Sequence, residues 1–552
     1  MTQDIKYAPL MVALLAVLSF SSQAAPVIPD TGSILQQVIQ SAPQAPSSSE
    51  TGLTVKHEGA AKLPPSAPFL VKMLKITGNT LFDTVTLHAL VADAEGKMQR
   101  LADLDEVAAK ITDYYHAHGY PFARAIIPAQ TIHDGVVEIR VIEARYGQVS
   151  LDNTSRVKDS LLQDALSPLK SGGDVAQLAM DHSLLLLSDI PGVLVDATLI
   201  PGEAVGTSDL LIDTTAGPSI LGNAAVDNYG NKYTGRARAG GAVNFIDLLH
   251  SGDVLSLSGI TSGSGMNYGR IAYDTMLDGR GTHLGGALSA LHYILGDSLS
   301  SLDGHGTAQV GSLWLKQTLM RRRDANLYAQ VQYDHKGLSD RLDVASIRDD
   351  RHLDNETVSV FGDARRIGGI TSWSVGMTTG RVSFDDATAQ LSDAATTQTQ
   401  GGFSKWNASL SNLESLMPAT ALYVALSGQW ATRDLDTAEK MTLGGPYTVR
   451  AYDMGIISGD TGYLGTAELR HDLGGPWQGV VFLDSAHVTV NQNPWVAGVN
   501  DATLNGAGLG INWAGQKQWG AKAYVATRLG SAPILLAGAS STRLWVELDK
   551  GF

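Results

Sequence analysis

Arg450 and Asp484 are the two residues whose type and setting point to a specific piece of chemistry. Arg450 lies in "GGPYTVRAYDMG" (444–455), a loop flanked by glycines and set between apolar segments of strand character at 422–426 and 464–473. In "VVFLDSA" (480–486), Val481 and Leu483 alternate with Phe482 and Asp484. If Val481 and Leu483 face lipid, Asp484 faces inward, because a charge on a lipid face is costly. An inward carboxylate in a confined space seeks a cation. Catalytic patterns are missing elsewhere. The sequence has no G-x-x-x-x-G-K-[ST] loop for ATP, no H-E-x-x-H and no cysteine to ligate zinc. "SGSG" (262–265) is not a G-x-S-x-G elbow. "GAGLG" (506–510) reads as strand and turn glycine, and His305 with the run Arg321-Arg322-Arg323 as turn, lumen or rim groups. The expectation is a protein that is not an enzyme and uses no metal or cofactor.

The elements that must position the pair come from pattern and composition. The chain has 552 residues, a net charge of −15, 59 glycines and only 19 prolines. The negative charge argues against nucleic acid held through its phosphates. The glycine content favours strands and turns. The N-terminus has Lys6, an apolar stretch over 10–20 and Ser22-Gln23-Ala24 before the break, so residues 1–24 read as a signal peptide and the chain as exported. Residues 30–40, "DTGSILQQVIQ", fit a short helix with Ile34, Leu35, Val38 and Ile39 on one side and glutamines on the other. The Ser-, Pro- and Ala-rich stretch that follows reads as a flexible linker.

Residues 69–144 read as a β-α-α-β-β unit. Its clearest helix is "DLDEVAAKITDYYHAHG", with Leu104, Val107, Ala108, Ile111 and Tyr115 at helical spacing and Gly119 as the stop. The same order repeats over 145–217. From about residue 218 the pattern becomes strict alternation. In "LYAQVQYD", Leu327, Ala329, Val331 and Tyr333 alternate with polar residues; "ALYVALSGQW" and "AKAYVATRL" behave alike. At about 20 residues per strand and turn, this region holds about 16 strands. The expected fold is two α+β modules followed by an all-β transmembrane barrel of about 16 antiparallel strands.

With these motifs in order, the chain resembles the outer-membrane transporters of two-partner secretion, the TpsB proteins of the ShlB/FhaC/HecB type. "ITGNTLF" (76–82), "YYHAHGYPFARAIIPAQ" (114–130) and "DGVVEIRVIEARYG" (134–147) are similar to that family's first POTRA module, and "IPGVLVDATLIPG" (190–202) to its second. "VDNYGNKYTGRARAGG" (226–241) resembles its first barrel strands. "LGGPYTVRAYDMG" with "SGDTGYL" (458–464) resembles its sixth extracellular loop, and "VFLDSAHV" (481–488) a following strand. Ala451 stands where the family motif Val-Arg-Gly-Tyr has glycine, so a different local turn is expected at the tip.

The resemblance implies a signal peptide at 1–24, an N-terminal plug helix within 25–42, a linker over 43–68, POTRA modules at 69–144 and 145–217, and a barrel at 218–552 whose loop near 440–460 folds inward. It implies that Arg450 pairs with Asp484, with Val449, Tyr452 and Phe482 around them, while Arg470 is the other basic residue that could hold Asp484. It implies a TpsA-type exoprotein as client, recognised unfolded in the periplasm and carried to the surface without ATP. The regions favoured for client contact are 122–130, with Phe122, Ala123, Ile126 and Gln130, and 193–200, with Val193 and Val195. Phe552, ending an alternating last strand, resembles the signal read by the barrel-assembly machinery. The implied setting is the outer membrane of a Gram-negative bacterium, with a lipid-embedded, monomeric barrel. A barrel-assembly insertase would carry more POTRA modules, and a passive porin would have no need of residues 69–217.

Overall fold

The computed structural model describes residues 28–39, 53–55, 66–536 and 538–552. The expected signal peptide and most of the linker (43–52 and 56–65) lie outside them, as do 25–27 and 40–42.

In the first module, Val136–Ile142 is the central strand, parallel to Met73–Thr77 and antiparallel to Arg124–Ile126. The helix Leu101–Ala117 buries Leu104, Val107, Ala108, Ile111 and Tyr115, the five residues whose spacing predicts it. The Asp103 carboxylate accepts from the Arg100 amide at 2.7 Å and closes the first turn, and Gly119, at φ +89°, ends the element.

The second module repeats the order with Arg145–Thr154, helices Asp159–Leu166 and Gln177–Ser188, and strands Val193–Pro201 and Thr207–Ala216. Its sheet gains a fourth strand from outside the module. Leu53–Val55 (β1), inside the stretch expected to be linker, pairs in parallel with Ala197–Leu199 along the edge of Val193–Pro201.

Sixteen antiparallel strands, from Ile220–Asp227 to Thr542–Gly551, form a closed barrel. Pairing of 223–227 with 547–551 closes it, so no long edge is left exposed. A barrel of this size leaves room for an aqueous channel. Alternation sets the two faces: Leu288, Leu313, Val358, Leu426, Leu483 and Leu509 point outward and are exposed. Trp406, Trp430 and Tyr463 cluster near one end of this apolar band, and Trp477, Trp519 and Phe552 near the other, as aromatic residues do at the two interfaces of a membrane. No described helix is long and apolar enough to cross a membrane; the strands make the crossing.

The second module is fastened to the barrel rim. Met276 of the barrel packs in that module's apolar core. The Gly279 amide donates to Asp164 at 2.9 Å, the buried Arg321 guanidinium meets Asp189 at 2.6 Å, and Arg323 meets Asp181 at 2.7 Å. The basic run at 321–323 therefore lies at the rim. This end of the barrel is periplasmic, and the loop 432–460 enters from the opposite end.

Candidate functional site: a loop and a helix held inside the barrel

The loop 432–460 turns back into the lumen. Its two arms pair as a small hairpin, Met441–Leu443 with Ile457–Gly459. Its tip closes on itself: the Gly445 amide donates to the Tyr452 carbonyl and the Tyr452 amide to the Val449 carbonyl, both at 3.1 Å. This compact turn presents Arg450 to the wall. Ala451 is fully buried and does not have a positive φ, so the tip is built without the left-handed residue that a glycine there would permit.

The strand Trp477–Thr489 puts Phe482, Asp484 and Ala486 on its inner face, and Val481 and Leu483 outward. Arg450 meets Asp484 through both prongs of its guanidinium, at 2.9 Å from Nε and 2.6 Å from the terminal nitrogen, and its backbone amide adds a third contact at 3.1 Å. The guanidinium carbon lies 3.4 Å from the centre of the Phe482 ring. Val449 and Tyr452 are buried beside it in one apolar cluster with Phe482. The Asp484 side chain is fully buried. Its other partner is the Thr466 hydroxyl, not Arg470.

A second carboxylate completes the site. Glu468 accepts from the remaining Arg450 nitrogen at 2.6 Å and also holds Arg470, at 2.6 Å. The Trp545 indole donates to the Arg450 carbonyl at 2.7 Å and so ties the tip to the last strand. A delocalised cation between two carboxylates and an aromatic face is suited to fixing position, because most of its Coulomb gain offsets desolvation. Both carboxylates are engaged by the guanidinium.

The root of the same loop is tied separately. Glu439 meets Lys405 at 2.9 Å and also pairs with Lys336, and Asp436 meets Arg351 at 2.6 Å.

The N-terminal helix Thr31–Ile39 (α1) lies in the lumen against this loop and the wall. Ile34, Leu35 and Val38 are buried among barrel and loop side chains. Gln36 and Gln37 are not left on a wet face: Gln36 donates to the Ala438 carbonyl, and Gln37, 5% exposed, accepts from Asn231 at 3.1 Å. Asp30, just before the helix, meets Arg351 at 3.3 Å and accepts from the Thr437 hydroxyl at 2.6 Å. Gly32 touches the loop so closely that a β-carbon there would collide with the Thr437 hydroxyl and the Ala438 nitrogen.

The regions expected to meet a client are brought to the two modules, with side chains mostly engaged. Ala123 and Val193 are buried in the module cores, and Phe122 and Val195 pack against the core of the second module. Gln130 bonds the backbone of Glu138 at both ends, at 2.8 Å each, and so mimics a strand residue. Ile126 is exposed. The strand Val193–Pro201 is at the edge of the module's own sheet, and β1 covers part of that edge. Phe552 lies over Gly222 on the outer wall, its backbone paired with that residue at 2.9 Å. Among the described residues, no group of three or more His, Cys, Asp or Glu is placed to hold a metal ion.

Residues 206–513 match the family described as haemolysin secretion/activation protein ShlB/FhaC/HecB, and residues 69–144 match the ShlB-type POTRA domain. The heme/hemopexin transporter protein HuxB of Haemophilus influenzae is 27% identical over 539 residues, 95% of each chain. CdiB from Escherichia coli superposes with a TM-score of 0.69 at 22% identity, over 90% of this chain and 93% of that one. CdiB from Acinetobacter baumannii does so at 0.62 and 17% identity, over 99% and 97%.

Proposed function

The chain belongs to the ShlB/FhaC/HecB family of haemolysin secretion/activation proteins, outer-membrane barrels that carry periplasmic POTRA modules, and we propose that it binds an unfolded partner exoprotein through those modules and passes it through the barrel to the cell surface without ATP. In this reading α1 and the inward loop fill the pore at rest, and the Arg450–Asp484–Glu468 contact sets the loop's resting position.

The observation that carries the reading is the edge of Val193–Pro201. An extended, three-residue piece of the chain's own tether already pairs there. Backbone hydrogen bonds make such an edge tolerant of sequence, which suits a client that arrives as an extended chain. The edge lies in the module that is fastened to the barrel rim, so a client added there is held at the entrance. The relative named as a heme/hemopexin transporter makes a haem-acquisition exoprotein the first client to try.

Thr54 and Thr198 are register partners, and the chain has no cysteine of its own. Replacing both with cysteine allows β1 to be locked on the edge by a disulfide. The oxidised transporter should fail to secrete the exoprotein, and a reductant should restore secretion. Equal secretion in both states would mean that the client enters elsewhere. No secretion by the wild-type chain from any adjoining exoprotein gene would overturn the translocation reading itself.

A further inference from the structure

Beneath the tip of the loop 432–460, on the side of the periplasmic modules, the lumen keeps a cavity of about 410 Å³. Four tyrosines line it: Tyr229 beside the first barrel strand, Tyr423 near the periplasmic start of Thr420–Ala431, Tyr447 on the loop itself, and Tyr524 on Trp519–Arg528. The ionised groups around it are matched. Arg450 is held by Asp484 and Glu468, Arg470 by Glu468 while also lying 4.4 Å from the Tyr423 ring centre, and Lys522 by Glu547 at 2.7 Å. Three cations stand against three carboxylates. The wall near α1 is different: there Arg351 faces Asp30, Asp340, Asp349 and Asp436, while Lys336 and Lys405 share Glu439, so three cations stand against five carboxylates. The two sides of the lumen therefore differ in charge, one neutral and rich in tyrosine, the other acidic.

An extended chain inside a pore carries unpaired amide and carbonyl groups and side chains of many kinds. A wall that serves it must offer hydrogen-bonding groups and flat apolar faces, and must not trap either sign of charge. Tyrosine supplies both at little cost in side-chain freedom. Charges already paired are poor traps for a passing ion, since a new partner would have to displace the old one.

We propose that this cavity is a binding site for an extended polypeptide segment without net charge, and that it is the station the client occupies between the periplasmic edge strand and the loop tip. The proposal rests on the translocation reading above. It places the client's route along the wall made by 401–431, 461–474 and 501–551, away from the acidic wall that holds α1. Because Tyr447 and Arg450 belong to the loop, movement of the loop reshapes the site.

The test uses the purified full-length transporter with the photoreactive residue p-benzoylphenylalanine at one of three positions. Tyr423 lies in the cavity, Gln332 faces the lumen four strands away around the barrel and outside the cavity, and Leu469 faces lipid. The probe is a fluorescent peptide of alternating valine, threonine and asparagine, with two companions in which every third residue is glutamate or lysine. Illumination should attach the uncharged peptide at position 423 several-fold more than at 332 or 469, with saturation as peptide is added, and both charged companions should attach less. Equal labelling at 332 and 423, no labelling at 423, or a preference for either charged peptide would overturn the proposal. Secretion of the exoprotein by unmodified transporter is scored in parallel. Secretion without labelling at 423 overturns this site alone, whereas absence of secretion overturns the translocation reading.

Discussion

Arg450 divides its guanidinium between two carboxylates, and that changes what charge reversal does. Arg450→Glu would place three carboxylates in one buried site. Removing one partner of a buried pair typically costs about 3–5 kcal/mol, enough to drive the loop from its inward position. Secretion should fall sharply, while heat-modifiable migration of the barrel stays near normal, because the wall's hydrogen-bond ladder does not depend on the loop. Arg450→Lys should be intermediate, since it keeps the charge and loses the planar fork. Adding Asp484→Arg to Arg450→Glu should give more secretion than the product of the single defects predicts, but less than wild type, because Glu468 remains beside the new glutamate. Strict additivity would mean the two residues do not act through each other. Asp484 was legible because it is a lone charge on the inner phase between outward Val481 and Leu483. Glu468 was not, because Glu468, Arg470 and Asp472 share one phase of their strand and nothing in the pattern sets one apart. In the first module, burial of Glu143 raises its pKa, but bonds from the Leu81 amide, the Thr80 hydroxyl, the Tyr115 phenol and the Thr80 amide more than offset this, and the carboxyl is held below its ordinary 4.5. Its stabilising contribution is therefore complete above pH 4.5 and is lost as pH falls through the lower folded value. Glu143→Gln should cost the module about 1.5–3 kcal/mol near neutral pH, measured by thermal unfolding of the periplasmic modules in the solubilised full chain. The gap to wild type should close on acidification; a gap that widens would contradict this assignment.

The helix α1 shows how far a pattern reaches at the scale of an element. Its apolar spacing predicts a helix, and the structure has one at Thr31–Ile39. The same pattern left the glutamines facing water, whereas Gln36 and Gln37 are taken up by the inward loop and by Asn231. That partner is some 400 residues away in sequence for Gln36, so no local pattern could name it. β1 was hidden for another reason: three residues in a Ser- and Pro-rich tether carry too little alternation to be read as a strand. So short a helix is marginal alone, and its seat is shared by the barrel wall, through Leu291, Tyr293, Leu338 and the Thr31–Asp340 bond, and by the root of the loop, through Leu435 and Ala438. Two consequences follow from that seat. Gly32→Leu should force α1 out and raise the single-channel conductance in planar bilayers, as deletion of 26–42 should, while leaving secretion largely intact. Arg450→Glu should also raise it, by freeing the loop tip, while Thr437 and Ala438 stay with the loop root that Asp436 and Glu439 hold to the wall. Unchanged conductance in all three would mean that α1 does not obstruct the pore.

For the whole molecule, the order of parts was legible nearly throughout: two β-α-α-β-β modules, then about 16 alternating strands that close as a barrel. Strand alternation survives because each wall residue answers to lipid or to lumen, and the two solvents differ sharply. The fastening of the second module was not legible. Arg321 and Arg323 read only as turn, lumen or rim charges, since their partners Asp189 and Asp181 lie 132 and 142 residues earlier. That fastening joins the edge of Val193–Pro201 to the pore, and the proposed function requires that this chain alone suffice for transport. The direct measurement is protease protection in liposomes that contain only the purified chain, with its periplasmic modules facing outward, mixed with the unfolded N-terminal part of a candidate partner exoprotein. In the absence of ATP, the fragment should become protected inside the liposomes, and oxidation of the Thr54→Cys, Thr198→Cys variant to its disulfide form should prevent this. A fragment that stays fully accessible, or that is protected only when ATP and further proteins are supplied, would contradict the account.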